Sequence, residues 1–224
     1  MSQEHGDVMS PLISHFNELL EKYGDSAQAV AWRDEAFQRF RFASVCQVFD
    51  GEREPFSVYE VGCGLGHMRA YLAERYPQAT YAGCDINEQM IRAALDRDPT
   101  LRVEHRDITA DPPPASDYVV ASGIFNLRCG VDEERWSAVV RDVLRSMYAV
   151  ARKGMASNFL TSRVDWKRDV AYHQDPAAIL DFAQRELSRF VEIRHAYYPW
   201  EFTLLVYREA QPLSNGVTPT GDPA

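Results

Sequence analysis

Glu60, Gly62, Gly64 and Gly66 occupy every second position of the stretch EVGCGLG. Glycine lets a backbone approach a ligand closely and adopt left-handed angles, so this spacing indicates a binding loop. A helix that follows such a loop presents free N–H groups and a partial positive charge to the ligand. Cys63 lies inside the loop and is expected to contact the same ligand. The stretch therefore predicts a loop that holds a nucleotide-type molecule.

Two carboxylates follow at the ends of the next two apolar segments. Asp85 ends YAGCD, where it can accept hydrogen bonds from both hydroxyls of a ribose. Asp107 lies in HRDIT, where it can accept a hydrogen bond from an adenine amine. Ile86 and Ile108 follow these acids and suit the two faces of a purine. Together the four residues predict a site for an adenosine group beside the glycine loop.

Two kinds of nucleotide ligand compete for this loop. A dinucleotide fold calls for GxGxxG, and His67 occupies the place of the third glycine. A pyrophosphate favours a basic or neutral loop, whereas Glu60 directly before the glycines suits a cationic amine. The sequence therefore favours a nucleoside with a cationic end over a dinucleotide.

The elements that must position these residues alternate between strand and helix. Strands are predicted over 57–61, 80–84, 101–105, 118–122 and 155–161, and helices over 65–76, 88–95, 132–151 and 176–188. This alternation predicts an α/β fold with a doubly wound, mostly parallel sheet. Strands over 190–197 and 202–207 add a C-terminal antiparallel hairpin, which brings the sheet to seven strands. Ligands of such sheets bind beyond the carboxyl ends of the strands, where the glycine loop falls.

The residues before the first strand form helices that the sheet does not need. Apolar spacing predicts one helix over 11–23 and a second over 26–49, after a loose start over the first ten residues. These helices are expected to pack on the edge of the sheet or over its mouth.

The loop and both acids resemble those of the class I S-adenosylmethionine (SAM) dependent methyltransferases. Glu60 to Gly66 match the first motif of that family, and Asp85 and Asp107 match its ribose and adenine acids. The similarity covers 58–207 in element order, including the terminal hairpin. It implies a SAM-binding Rossmann-like domain over 56–210 under an N-terminal helical lid over 1–55. Composition predicts a disordered tail over 211–224.

The resemblance implies SAM as cofactor and transfer of its methyl group to a small molecule, with specialised metabolism as one setting. S-adenosylhomocysteine would then be the product. A second hypothesis is an enzyme of the same fold that cyclises SAM itself to azetidine-2-carboxylate and methylthioadenosine. A third is a non-catalytic partner subunit. A polyamine synthase would need a run of acids after the fourth strand, which the sequence lacks.

The residues at the exit of the fourth strand limit the classes of acceptor molecule that we expect. They read SGIFN, and Ser122 and Gly123 are expected to contact SAM. Methyltransferases of this type that modify nucleobases or protein amides carry an Asn/Asp-Pro-Pro-aromatic box there, and metal-dependent catechol enzymes carry an acid. Neither is present, so we expect neither those acceptors nor a catalytic metal. Asp165, Asp169 and His173 are spaced by four, but we interpret them as a solvated face.

Three residues of the predicted lid are candidates for closing over SAM. Arg39 could pair with the methionyl carboxylate, although an exposed arginine on an amphipathic helix explains it equally well. Trp32 and Tyr23 could line the inner side of the lid.

Three residues are candidates for the reaction itself. Asn126, directly after the fourth strand, could hold an amine or a carboxylate of the acceptor. Tyr172 lies outside the predicted strands and could form a pocket wall. His195 is predicted within a strand and could act as a general base, with a packed core histidine as the alternative.

The composition excludes some classes of partner. The 224 residues carry a formal net charge of −9, whereas nucleic acids and anionic membranes require a basic footprint. No apolar run is long enough to span a membrane, and the first residues lack the features of a signal peptide. The four cysteines form no Cys-x-x-Cys pair, which favours reduced thiols in the cytoplasm. The oligomeric state is left open.

Overall fold

One mixed sheet runs through the residues that the structure describes, which are 3–212 for the backbone and 8–212 for the side chains in this computed structural model. Its strands are β1 Phe56–Val61, β2 Ala79–Asp85, β3 Val103–His105, β4 Ser116–Ala121, β5 Ala151–Thr161, β6 His173–Gln174, β7 Phe190–Arg194 and β8 Glu201–Tyr207. The order is β3-β2-β1-β4-β5-β8-β7, with the short β6 paired to the end of β5. Among these strands β8 alone runs in the opposite direction to the rest, so its pairs with β5 and β7 are antiparallel and the other pairs are parallel. The predicted α/β sheet with a C-terminal antiparallel pair is confirmed, with β6 as an eighth strand.

Six α-helices accompany the sheet in the described part of the chain. They are α1 Gln3–Tyr23, α2 Glu35–Cys46, α3 Met68–Arg75, α4 Glu88–Arg97, α5 Glu133–Val150 and α6 Pro176–Glu186. Asn87, Asp132 and Asp175 cap α4, α5 and α6, because each side chain accepts hydrogen bonds from two backbone N–H groups of the first turn. These caps explain why the three helices begin within one residue of the predicted positions.

The core lies on both faces of the sheet. On β4, Val119 and Ala121 face α5 and α6, whereas Tyr118 and Val120 face α2 and α3. Successive strand residues point to opposite faces, so a central strand is apolar wherever both faces are covered. This double burial is why β4 contains the continuous apolar run from Tyr118 to Ala121.

The N-terminal region is divided differently from the predicted single lid over 1–55. A 3-10 helix over Ala27–Val30 ends at Ala31, whose φ of 60° is left-handed, and Asp34 then caps α2 by accepting from Phe37 N at 2.7 Å. These two features replace the predicted continuous helix over 26–49. Phe42 and Val45 of α2 are buried against the sheet, so α2 is one of the helices that cover a face of the sheet and is not part of a lid. The covering segment is therefore residues 3–34, hereafter called the cap.

Several predicted boundaries shift. The first helix begins at Gln3, so its start is regular and not loose. Strand β7 ends at Arg194, which leaves His195 in the loop before β8. Asp165 and Asp169 lie in a turn region and His173 in β6, so the three are not aligned on a helix. The predicted tail over 211–224 falls outside the described residues from position 213 onward.

The glycine loop lies where the sheet changes direction. Strand β1 is paired with β2 on one side and with β4 on the other. The chain leaves β1 toward β2 and later returns to the opposite side, which opens a crevice at the carboxyl ends of β1 and β4. The cap lies over this crevice, where α1 contacts α4 and α5. No helix among the described residues is long and apolar enough to cross a membrane.

Candidate active site

The glycine loop takes the backbone angles that its sequence requires. Gly62, Gly64 and Gly66 have φ angles of 70°, 50° and 69°, which residues with a side chain rarely adopt. Gly64 N donates to Asp85 Oδ2 at 2.8 Å, so the loop is tied to the end of β2. A Cβ atom on Gly62 would lie 2.2 Å from Ile124 Cγ2, a distance that real atoms do not tolerate. The loop therefore closes against the exit of β4 as well as against β2.

The cap rests directly on two glycines of the crevice. A Cβ atom on Gly64 would lie 2.9 Å from Val30 Cγ1, and one on Gly123 would lie 2.3 Å from Trp32 Cζ2. Gly123 also has a left-handed φ of 77°. Both glycines are needed to admit the cap as well as to shape their own turns.

A polar cluster fastens the cap beside the glycine loop. Asp25 Oδ1 of the cap lies 2.8 Å from His67 Nε2 and accepts from Arg97 Nη1 at 2.7 Å. Arg97 Nη2 in turn donates to Leu65 O at 2.7 Å. The cap, the loop and α4 are thereby joined through partly exposed charges.

A first cavity lies between the cap and the carboxyl ends of β1, β2 and β4. It has about 1180 Å³ of empty space, part of it open to solvent. Cap residues Met9, Leu12, Ile13 and Phe16 form an apolar wall. The opposite side is formed by the residues predicted for an adenosine site and its loop: Glu60, Gly62, Cys63, Gly64, Asp85, Ile86, Asp107, Ile108, Ser122 and Gly123. The structure thus brings these predicted residues together around one space; Gly66, in the same loop, does not line it.

The acids of the first cavity keep free hydrogen-bonding capacity. Asp85 accepts from Gly64 N and from Asn87 N at 2.8 Å each, and each of its oxygens retains a lone pair. Asp107 Oδ1 accepts from the backbone and hydroxyl of Thr109, whereas Asp107 Oδ2 is buried without a partner in the described part of the protein. The Ser122 hydroxyl is buried and unpartnered in the same sense. Buried polar groups are normally satisfied, so these atoms indicate a bound polar ligand.

Glu60 is the most buried acid of the cavity, with 3% of its surface exposed. Burial raises the pKa of its carboxyl to about 8, although the Tyr81 hydroxyl donates to it at 2.6 Å and opposes the shift. Burial also raises the pKa of the nearby Asp85 carboxyl. A cationic group in this part of the cavity would favour the charged form of both acids.

A second cavity adjoins the first on the other side of Trp32. Both cavities are lined by Phe16, Val30, Trp32 and Gly123. The second is also lined by Arg33, Arg41, Arg168 and Glu201, among other residues. Asn126 lies at its base, where Oδ1 accepts from Leu160 N at 3.2 Å. The two spaces are therefore neighbours with different polar linings.

Arg41 and Glu201 form a buried ion pair in this lining. Their side chains are 3% and 2% exposed, and Arg41 Nη2 donates to Glu201 Oε1. The guanidinium lies 3.6 Å from the ring centroid of Phe37 and 4.3 Å from that of Trp32. Arg41 Nη1 donates to Phe37 O at 3.1 Å. Stacking and hydrogen bonding together fix this arginine in one orientation.

Comparison with known proteins gives the family. The family model of a methyltransferase domain matches residues 59–154, from the middle of β1 to within β5. The putative methyltransferase Rv1506c of Mycobacterium tuberculosis is 38% identical over 160 residues, which cover 68% of this chain and 93% of that protein. The chain belongs to the class I SAM-dependent methyltransferases.

More distant proteins resemble this methyltransferase in sequence or in fold. Trans-aconitate 2-methyltransferase of Deinococcus radiodurans is 27% identical over 174 residues, and the match spans 75% of this chain and 62% of that protein. Magnesium protoporphyrin IX methyltransferase of Synechocystis, solved with bound SAM, has a TM-score of 0.63 at 16% identity and covers 93% of this chain and 98% of its own. 1,6-Didemethyltoxoflavin-N1-methyltransferase of Burkholderia thailandensis, solved with S-adenosylhomocysteine, has a TM-score of 0.62 at 14% identity and covers 94% of this chain and 92% of its own. These structures share the fold.

The cavities of the methyltransferase fit the cofactor of its family. The first cavity offers an acid at the end of β2, an unpartnered carboxylate oxygen at Asp107 and two apolar walls at Ile86 and Ile108. Glycine backbone and the buried Glu60 lie at the other end. A nucleoside with a cationic tail requires this set of groups, so SAM fits the first cavity.

The three lid predictions of the methyltransferase have different outcomes. Trp32 lines both cavities and Tyr23 lines the second, where Tyr23 is 42% exposed. Arg39 lines neither, because its guanidinium pairs with Glu74 at 2.6 Å on α3. Of the two arginines of α2, the one that lines a cavity is Arg41, two residues further along the helix. The predicted contact of Arg39 with a methionyl carboxylate is therefore replaced by an ion pair on the outer side of α2.

Two of the three catalytic candidates lie away from both cavities. Tyr172 is buried in the core, and its hydroxyl donates to Gln174 Oε1 at 2.9 Å. His195 packs against Phe202 in the loop after β7, and its Nε2 is buried without a partner in the described residues. Neither side chain lines either cavity, so neither is placed to contact a ligand bound there. Asn126 alone among the three lines a cavity.

Replacing Glu60 with glutamine is expected to change the pH dependence of stability. The folded carboxyl has a pKa of about 8 against 4.5 for an ordinary glutamate, so the folded state keeps a proton that the unfolded state has lost. Wild-type stability should therefore fall as the pH rises from about 5 through about 8. Glu60→Gln stays neutral, so its melting temperature relative to wild type should rise over this range. If the melting temperatures of wild type and Glu60→Gln changed with pH in parallel, the raised pKa of Glu60 would be contradicted. Glu54→Gln, at an exposed position, is the matched control.

Proposed function

We propose that this methyltransferase transfers the methyl group of SAM to a small molecule that binds in the second cavity. The main support for this proposal is that two cavities with different linings share Trp32 and Gly123 as lining residues. A transfer enzyme must hold two reactants with their reacting atoms in contact, and adjoining pockets meet this requirement. The two proteins named above for trans-aconitate and for 1,6-didemethyltoxoflavin act on small molecules, which supports this class of acceptor.

We propose these roles for the first cavity. Asp85 holds the ribose hydroxyls and Asp107 the adenine amine, while Ile86 and Ile108 enclose the purine. Their positions at the ends of β2 and in the loop after β3 support this assignment. Bound SAM supplies a methyl group activated by the positive sulfur.

The tail of the cofactor would lie toward β1 and the exit of β4. Glu60 and the backbone of Gly62, Cys63 and Gly64 shape the cationic end, and Ser122 donates or accepts through its free hydroxyl. The apolar wall of the cap excludes water from the reacting groups. The second cavity orients the acceptor through Asn126 and the aromatic face of Trp32.

A mass-spectrometric assay distinguishes the three hypotheses. The purified chain is incubated with SAM alone and with SAM plus a panel of small carboxylic acids that includes trans-aconitate, phenols and amines. S-adenosylhomocysteine together with a product heavier by one methyl group supports transfer. Methylthioadenosine formed from SAM alone would show cyclisation instead, and SAM binding without turnover on any acceptor would favour a partner subunit.

A further inference from the structure

We infer that the acceptor of the second cavity is an anion, specifically a compound that carries a carboxylate; this rests on the proposed function of that cavity. The first cavity is lined by three acids, Glu60, Asp85 and Asp107, and by one arginine, Arg106. The second reverses this ratio, with three arginines and one acid. The chain as a whole carries a charge of −9, so a cavity with more arginines than acids differs in sign from the chain's net charge.

The three arginines differ in how strongly they are neutralised. Arg168 has no ion-pair partner within the part of the chain that the structure describes. Arg33 pairs with Asp34 at 2.7 Å, but the two side chains are 71% and 44% exposed. An exposed pair of this kind is weak and can exchange partners. Two guanidiniums at the rim are therefore available to a carboxylate.

Arg41 provides a fixed and buried donor. Its Nε is buried without a partner among the described atoms, and so is Glu201 Oε2 on the other side of the pair. The guanidinium is held between Phe37 and Trp32 before any ligand arrives. An arginine that is already oriented loses little entropy when it binds a planar carboxylate.

Glu201 does not reverse the sign of the cavity. One of its oxygens accepts from Arg41, so its charge is locally balanced. Among the described residues, Arg168 is the lining arginine that forms no ion pair. An ammonium-bearing acceptor would meet repulsion from Arg168 and Arg33 at the rim, whereas a carboxylate would be attracted to both.

The test uses the full chain saturated with S-adenosylhomocysteine, whose own binding is measured first by isothermal titration. Benzoate, fumarate and trans-aconitate are then titrated beside benzamide, fumaramide and benzylamine, with the tryptophan fluorescence as signal. We expect at least one carboxylate to bind roughly tenfold or more tightly than its amide, and the amine to bind most weakly. Arg168→Gln should weaken the binding of that carboxylate compound by a similar factor and leave the binding of S-adenosylhomocysteine unchanged.

Arg163→Gln is the matched control, because it removes the same charge from an exposed side chain that does not line the cavity. Amides that bind as well as acids, an amine that binds best, or no carboxylate binding up to millimolar concentration would each overturn the inference. Equal losses in Arg168→Gln and Arg163→Gln would also overturn it. Failure of S-adenosylhomocysteine to bind would instead refute the proposed function.

Discussion

Asp85→Ala is expected to weaken the binding of S-adenosylhomocysteine by about a hundredfold in isothermal titration. A hydrogen bond to a charged group contributes about 1.5–3 kcal/mol, and a ribose offers two hydroxyls to this carboxylate. The change also removes the acceptor for Gly64 N and Asn87 N, which lie 2.8 Å from its oxygens. The glycine loop would lose its tie to β2 at the same time as the ligand loses its partner.

Asp96→Ala is the matched control for this change. Asp96 is an exposed aspartate on α4 and does not line the first cavity. It should bind S-adenosylhomocysteine like the wild type. Thermal unfolding of both variants without ligand separates a loss of contact from a loss of folded protein. Near-normal affinity in folded Asp85→Ala would refute the assignment of Asp85 to the cofactor.

The buried pair between Arg41 and Glu201 gives the second large effect, on stability. Glu201→Leu and Arg41→Leu, made singly, should each lower the free energy of unfolding by about 3–5 kcal/mol, because each leaves an uncompensated buried charge. The double variant should recover most of this loss, because two apolar side chains need no partner. Urea unfolding of the four proteins gives the coupling free energy between the two positions.

An exposed pair on α4 shows what an ordinary ion pair contributes. Arg92 and Glu88 lie 2.6 Å apart with side chains that are 71% and 55% exposed. Their disruption should cost less than about 1 kcal/mol. If the double variant at positions 41 and 201 were as unstable as the sum of its single variants, the pair would not be energetically coupled.

The sheet and the loop could be predicted because their signals are local. Double burial favours apolar residues at Tyr118 to Ala121 of β4, and the left-handed turn at Gly62, Gly64 and Gly66 requires glycine in the sequence itself. Asp85 and Asp107 follow strands whose carboxyl ends meet at one edge, so topology alone brings them together.

Residues outside regular strands and those on α2 could not be placed in the same way. Arg39 and Arg41 both lie in FQRFRF, where aromatic residues surround both positions, so the sequence does not show which arginine faces the sheet. Arg41 faces the sheet because it pairs with Glu201, which lies 160 positions later in the chain. The sequence predicts His195 within a strand over 190–197, but β7 ends at Arg194, directly before His195. Such contacts depend on tertiary packing, which has no periodic signature.

The seating of the cap on bare glycine backbone has a thermodynamic consequence. Trp32 lies against Gly123, stacks on Arg41 and lines both cavities, so one position of the cap sets the shape of both spaces. A molecule that favours the seated cap in one space raises the affinity of the other space, and linkage makes this effect equal in both directions. We therefore expect the cofactor and the proposed acceptor to be coupled in their binding through the indole ring of Trp32.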